Sequence, residues 1–285
     1  MKPLKILMAA LLLVLPLSSC MPPIQEETPE NPGKNPSTPA VPTFLYQNVT
    51  YEYKTDVSAS IQFFTTGLAP EYLMLANKTY ALGEDYVPKN LVPLTCPTSG
   101  GKTVYLESRA AEALYAMLAE MRVDGVTDVK VTSGYRSYTY QQQLYRDYLS
   151  QEKSRISPEA YAYFGTDYIK KNYTDKGLDR LSEADAVLVV LSYSALPGTS
   201  EHQSGLCVDF VTSDAGLDQS FENTEAFDWL SQNAYRFGFI LRYPESKTAT
   251  TGYSYEPWHY RFVGREAATE MVLRGMTLEE FLGAV

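Results

Sequence analysis

Residues 197–210 read PGTSEHQSGLCVDF. His202 in this stretch and His259 in YEPWHYRF are the two histidines of a 285-residue chain, and each lies near a carboxylate. Imidazole is the commonest protein metal ligand and the side chain most easily tuned for proton transfer near neutral pH, so a rare copy beside an acid marks a candidate site. A core histidine bonded to backbone is the plainer account of either residue taken alone. His202 and Asp209 are seven positions apart. A helix would separate them by about 10.5 Å along its axis, and an extended strand by more than about 20 Å. Joint use therefore requires the chain to turn back between them. Gly205 supplies that turn, and the apolar run LCVDF then reads as a strand carrying Asp209, with His202 on the loop before it.

The second constellation is Glu256, Pro257, Trp258 and His259. Pro257 keeps Glu256 out of a helix and removes a backbone donor, which predicts a loop-to-strand junction. His259 then opens a strand with Glu256 beside it. Two histidines and Asp209 make three nitrogen and oxygen ligands with a position left for water, the pattern of catalytic zinc. Glu256 is a further acid near the metal that need not bind it; a carboxylate there can take a proton from water and pass it to a leaving amine.

Away from these words the chain alternates element types without a strict βαβ order. ESRAAEALYAMLAEMR (107–122) places Ala111, Leu114, Leu118 and Met121 on one helical stripe, which VDGVTD ends. VKVTSGYR follows as a short β-rich run, YTYQQQLYRDYLSQEKS as a second helix, and residues 155–180 as a further helix with loops. NTEAFDWLSQNAYRFG is a helix capped by Asn223 or Thr224 and stopped at Gly238. Strand-like FILRY and WHYRFV come next, then helical REAATEMVLRG and TLEEFLGAV, the latter with a capping box from Thr277 to Glu280. The expected fold class is α+β: a single domain with a central, mainly antiparallel sheet flanked by helices and the metal site at the sheet.

The N-terminal region has a different composition. MKPLKILMAALLLVLPLSSC carries Lys2 and Lys5, an apolar run from Ile6 to Leu17 and small residues before Cys20, the marks of a secretion signal. LSSC resembles the bacterial lipobox, which implies cleavage after residue 19 and a lipid on Cys20. Residues 20–43 form a Pro-rich tether with too few large apolar groups for a core. Residues 44–69 are taken as an N-terminal extension and 70–285 as the catalytic domain. The net charge of −10 argues against nucleic acid as a partner. Cys96 and Cys207 could pair in an exported protein, but the place of Cys207 in the His202 loop argues against it.

The words around the histidines carry a resemblance. The chain is similar to the VanY-type D-alanyl-D-alanine carboxypeptidases, zinc peptidases of the bacterial cell wall. The pattern Ser-x-His-(six residues)-Asp is matched by Ser200, His202 and Asp209; Glu-x-x-His by Glu256 and His259. A third word is matched by SGYRSYTYQ, with Ser133, Tyr135, Arg136, Ser137 and Gln141, and the likeness runs from about residue 70 to 265. The resemblance implies Zn2+ held by His202, Asp209 and His259, and Glu256 as general base. It further implies Arg136 on the substrate carboxylate or the developing oxyanion, and Ser200, Ser133, Tyr135 and Gln141 as substrate contacts. The expected substrate is a peptidoglycan stem peptide losing its C-terminal D-alanine; an L,D-carboxypeptidase, an endopeptidase and a non-catalytic wall-binding module are the alternatives. The protein is expected to be an exported, lipid-anchored monomer facing the cell wall. One departure is Cys207, where the family usually has alanine. Its thiol is expected to pack without binding metal, since it would reach the metal only if its strand face does. Gly134 and Gly205 read as backbone devices and Trp258 as core.

Overall fold

The computed structural model describes residues 43–46 and 49–285, all within the compact unit Val41–Val285. The signal segment 1–19, Cys20 and the tether up to residue 42 lie outside the described residues. Among the described residues no helix is long and apolar enough to cross a membrane.

In chain order, β1 (Thr43–Tyr46) and β2 (Val49–Glu52) form an antiparallel pair and are followed by the one-turn helix α1 (Ile61–Phe64). A second antiparallel pair, β3 (Leu91–Pro93) and β4 (Tyr105–Glu107), leads into α2 (Ser108–Val123). Then come β5 (Lys130–Ser133) and a helical stretch of α3 (Tyr138–Glu152), α4 (Pro158–Phe164), α5 (Thr166–Asn172) and α6 (Glu183–Tyr193). The chain returns through β6 (Cys207–Val211), α7 (Glu225–Asn233), β7 (Phe239–Leu241), α8 (Thr248–Thr251) and β8 (His259–Phe262). It closes with α9 (Arg265–Arg274) and α10 (Leu278–Phe281). The largest sheet has the order β5-β6-β8-β7 with every pairing antiparallel. The class is α+β, as the run of elements predicts.

Strand alternation gives this sheet two faces of opposite chemistry. Register places Val208 against Tyr260, Phe210 against Val131, and Phe239 against Phe262. These six side chains share the main apolar cluster with Leu114, Met117 and Met121 of α2. Tyr51, Tyr53, Val57 and Phe64, from the segment expected to be an extension, pack into the same cluster. Each such fully buried large side chain contributes about 1.5–3 kcal/mol. On the other face Asp209 stands opposite both His259 and Ser133, and Cys207 opposite Arg261. That face is buried but polar, so something other than water must satisfy it.

The Thr277–Glu280 capping box forms, Thr224 caps α7, and Gly238 ends the following turn in the left-handed conformation. The sequence reading does not place α6. Its run AVLVVL is rich in β-branched residues and looks like strand; Ser182, accepting from the Asp185 amide, and the acids Glu183 and Asp185 in the first turn favour helix instead.

Candidate active site

His202 sits in a short 3-10 turn, Glu201–Ser204, closed by Gly205 at φ +68°. A Cβ at Gly205 would lie 3.0 Å from Pro88 Cγ and 3.1 Å from Leu91 Cδ2, so the turn that folds His202 back over β6 requires glycine sterically as well as conformationally. His259 opens β8, and its amide donates to the Glu256 carbonyl across a tight turn, 3.2 Å. The loop-to-strand junction drawn from Pro257 is therefore the one observed.

The two imidazoles meet edge-on, ring centroids 5.0 Å apart at 86°. Their partners assign their protons. His202 Nδ1 lies 2.6 Å from the Gly134 carbonyl and must donate to it, so Nε2 is the nitrogen that faces Asp209 Oδ2, at 3.1 Å. Gly134 is confined in turn, because a Cβ there would fall 2.5 Å from the Tyr105 carbonyl oxygen. His259 has the opposite polarity: Nε2 donates to Glu201 Oε2 at 3.3 Å, and Nδ1 faces Asp209 Oδ1 at 2.9 Å. One nitrogen of each ring and a carboxylate thus converge, each ring fixed by the hydrogen bond on its far side, as metal-ligating histidines are.

His202, Asp209 and His259 are 4%, 2% and 2% exposed. Burial and the Arg136 guanidinium oppose protonation of His202, yet Asp209 and Cys207 together outweigh both and hold it up at about 9. Burial works to raise Asp209, and the charge and hydrogen bonds of the two imidazoles instead hold it well below the carboxylate range. The centre therefore favours positive charge. A divalent cation supplies that charge while the histidines give up their protons, so the donor set fits zinc.

Glu256 and Arg136 stand at the rim, each with a side chain 21% exposed. Glu256 Oε2 lies 3.6 Å from His259 Nδ1. Burial outweighs the pull of His259 and, with Asp209 beside it, raises the Glu256 carboxyl above its ordinary 4.5, toward the range useful to a general base. Arg136 Nη2 is 3.5 Å from Asp209 Oδ2, Nε donates to Ser133 Oγ at 3.2 Å and Nη1 to Gln141 Oε1 at 3.0 Å. Gln141 is itself held by the Ala195 carbonyl at 2.8 Å. Ser133 and Gln141 thus act through Arg136, and neither is among the residues lining the cleft above the cluster. Tyr135 does not line it either; its amide bonds the Tyr105 carbonyl at 2.7 Å. Ser200 does line it, beside Arg136, Glu256 and Trp258, so Trp258 meets the cleft as well as packing against the core.

Sequence reasoning missed Glu201. It is 1% exposed, accepts from Arg242 Nε at 2.8 Å and Arg261 Nη1 at 2.6 Å, and orients His259. Burial pushes its carboxyl up, but the two guanidiniums pull it far below the usual range. Arg242 also pairs with Glu279 at 2.6 and 2.9 Å. The signal was present: Arg261 follows His259 at the strand period of two, so it faces the same way. Cys207 meets the condition set for reaching a metal. Its strand face does meet the site, and its sulfur lies with nitrogens of His202 and His259 in one group of possible metal donors, all within 4.8 Å of one another. Cys96 and Cys207 are both free thiols.

A sheet face with a buried His2Asp centre, an acid and an arginine at its rim, and a cleft above defines a mononuclear metallohydrolase type of site. Residues 103–265 match the VanY family, D-alanyl-D-alanine carboxypeptidase. The chain is 38% identical over 177 residues to a D-alanyl-D-alanine carboxypeptidase of Enterococcus faecalis, an alignment covering 62% of this chain and 55% of the relative. Among solved structures, the LdcB LD-carboxypeptidase aligns with TM-score 0.59 and 32% identity, covering 76% of this chain and 88% of that one. A vancomycin-resistance D,D-pentapeptidase VanY, solved with Zn(II), aligns with TM-score 0.55 and 34% identity, covering 74% of this chain and 99% of that one. The chain belongs to the VanY family.

Proposed function

We propose that the chain is a zinc-dependent D,D-carboxypeptidase that removes the C-terminal D-alanine of peptidoglycan stem peptides. The observation that carries this reading is the convergence of His202, Asp209 and His259 on one buried sheet face with Glu256 at its rim. Zinc, when bound by those three residues, supplies Lewis acidity that polarises the scissile carbonyl and acidifies water. Glu256 takes the proton of the attacking water and hands it to the leaving amine nitrogen. Arg136, pre-set by Ser133 and Gln141, offers two planar N–H donors to the terminal carboxylate or to the carbonyl oxygen as it gains charge. Ser200, on the cleft wall, contributes a hydroxyl. The cleft has a volume of about 550 Å³ and is lined by Tyr148 and Arg155 as well as by His202, Asp209 and His259, room for several residues of a peptide.

The family and its Enterococcus faecalis relative are named for D-alanyl-D-alanine, which supports the D,D cut in this chain, whereas the LdcB structure is named for the L,D cut. The N-terminal words support export: a signal over 1–19, a lipid on Cys20 and a tether giving reach into the wall. Defined tri-, tetra- and pentapeptide stems test the substrate, with products identified by mass. The pentapeptide is expected to lose one D-alanine, and a chelator to stop the reaction. Release from the tetrapeptide alone would make the protein an L,D-carboxypeptidase. No release with zinc bound would make it a wall-binding protein.

A further inference from the structure

Cys207 is not required by the mechanism above, yet it lies at its centre. β6 carries Cys207 two residues before Asp209, so both side chains project from the same face. Cys207 is fully buried and has no disulfide partner. The sulfur and one nitrogen from each of His202 and His259 lie within 4.8 Å of one another. Two tetrahedral ligands of one zinc, at about 2.1 Å for nitrogen and 2.3 Å for sulfur, stand about 3.6 Å apart. Reaching that spacing takes at most about an ångström of side-chain adjustment, within the reach of χ1 rotation.

We propose that Cys207 Sγ is a ligand of the same metal ion as His202 and His259, giving this chain a sulfur donor in addition to Asp209, so that water would enter as a fifth ligand. The inference rests on the metallopeptidase reading of the site and deepens it. Sulfur binds as thiolate, its proton passing to solvent. Oxygen and imidazole donors suit zinc among borderline ions, whereas a thiolate adds affinity for soft ions such as Cd2+ and changes the electronic spectrum of any ion with partly filled d orbitals. The sulfur thus sets which metals the site prefers.

Cobalt(II) reports the sulfur directly. The chain is stripped of metal and reloaded with Co2+ beside its Cys207→Ala and Cys207→Ser variants, and near-ultraviolet absorption is recorded with metal stoichiometry. The expected result is a sulfur-to-cobalt charge-transfer band in the unaltered chain that both variants lack while still binding one ion each. Competition should agree, the preference for Cd2+ over Zn2+ falling about tenfold or more in Cys207→Ala, at the lower edge of what losing a metal-supporting group costs. Superimposable spectra of the unaltered chain and Cys207→Ala, with cobalt bound in both, would overturn the inference and leave the three-ligand site standing. Failure of the unaltered chain to bind cobalt or zinc at all would overturn both. The spectrum of Cys207→Ser controls for packing, because its side chain keeps nearly the volume of cysteine without the sulfur.

Discussion

The imidazoles of His202 and His259 are equivalent in the sequence and opposite in the structure, one fixed through Nδ1 by a carbonyl, the other through Nε2 by Glu201. Linear spacing shows that each histidine lies near an acid; it does not show which nitrogen faces the centre, because that depends on the hydrogen bond behind the ring. Gly134 and Glu201, the two groups behind the rings, come from different parts of the chain. Arg136 poses a sharper question at this scale. Its three nitrogens are engaged by Ser133, Gln141 and Asp209, so its place is preset. If it grips the terminal carboxylate in ground and transition states alike, Arg136→Ala raises KM with kcat nearly unchanged; if it meets only the developing oxyanion, kcat falls instead. Zinc content should persist in either case. Arg136→Lys is expected to recover part of the loss, since an ammonium cannot make the paired planar contact. Steady-state kinetics on a pentapeptide stem, with metal analysis, checks this; loss of zinc from Arg136→Ala would contradict it.

At the scale of elements, the strand after Gly205 and the strand after Pro257 were legible because local rules set them. A glycine was needed for reversal, and a proline forbade helix. Their pairing was not legible. Nothing local says that β6 lies between β5 and β8, or that Asp209 faces both Ser133 and His259, since register is fixed by long-range packing of Val208, Phe210, Tyr260 and Phe262 on the far face. The direction of Cys207 was not legible for the same reason, since it follows from the register. α6 escaped because its β-branched run overrides the signal of its cap. The turn at Gly205 offers a test of how closely element geometry governs the site. Gly205→Ala must hold a Cβ at φ +68° against Pro88 and Leu91, and the left-handed backbone alone costs about 1–2 kcal/mol. Denaturant unfolding should show a loss of at least that size, and zinc should bind more weakly because His202 sits on this turn. Unchanged stability would mean the turn relaxes freely.

For the whole molecule, two opposed chemistries share one sheet. The apolar face and α2 hold the fold; the polar face is held by buried charge, with Glu201 and Glu279 matched by Arg242 and Arg261. Breaking such a network by removing one partner costs about 3–5 kcal/mol. Its pH dependence follows from Glu201, which the two arginines hold far below its ordinary 4.5 despite burial. A depressed acid contributes stability that is present above its unfolded value and lost as pH falls toward its folded one. The Glu201 contribution is therefore steady near neutrality, and Tm should fall once pH drops below about 4.5. Glu201→Gln should be less stable at pH 7 and show a shallower acid slope; an unchanged slope would remove Glu201 as its source. The proposed lipid anchor belongs to this scale too. Cys20→Ala is expected to release the protein from membranes or leave it unprocessed, and fractionation with mass analysis reads either outcome.

The account stands on the separation of metal binding from proton transfer, three buried residues doing the first and Glu256 at the rim the second. Glu256→Gln tests that separation most directly, because glutamine keeps the volume and a hydrogen bond but cannot accept the proton of water. Zinc content and D-alanine release are measured on the same preparation. The account predicts about one zinc per chain, as in the unaltered protein, with turnover lowered by about 10²- to 10⁴-fold. Turnover near that of the unaltered chain, with zinc bound, would contradict it.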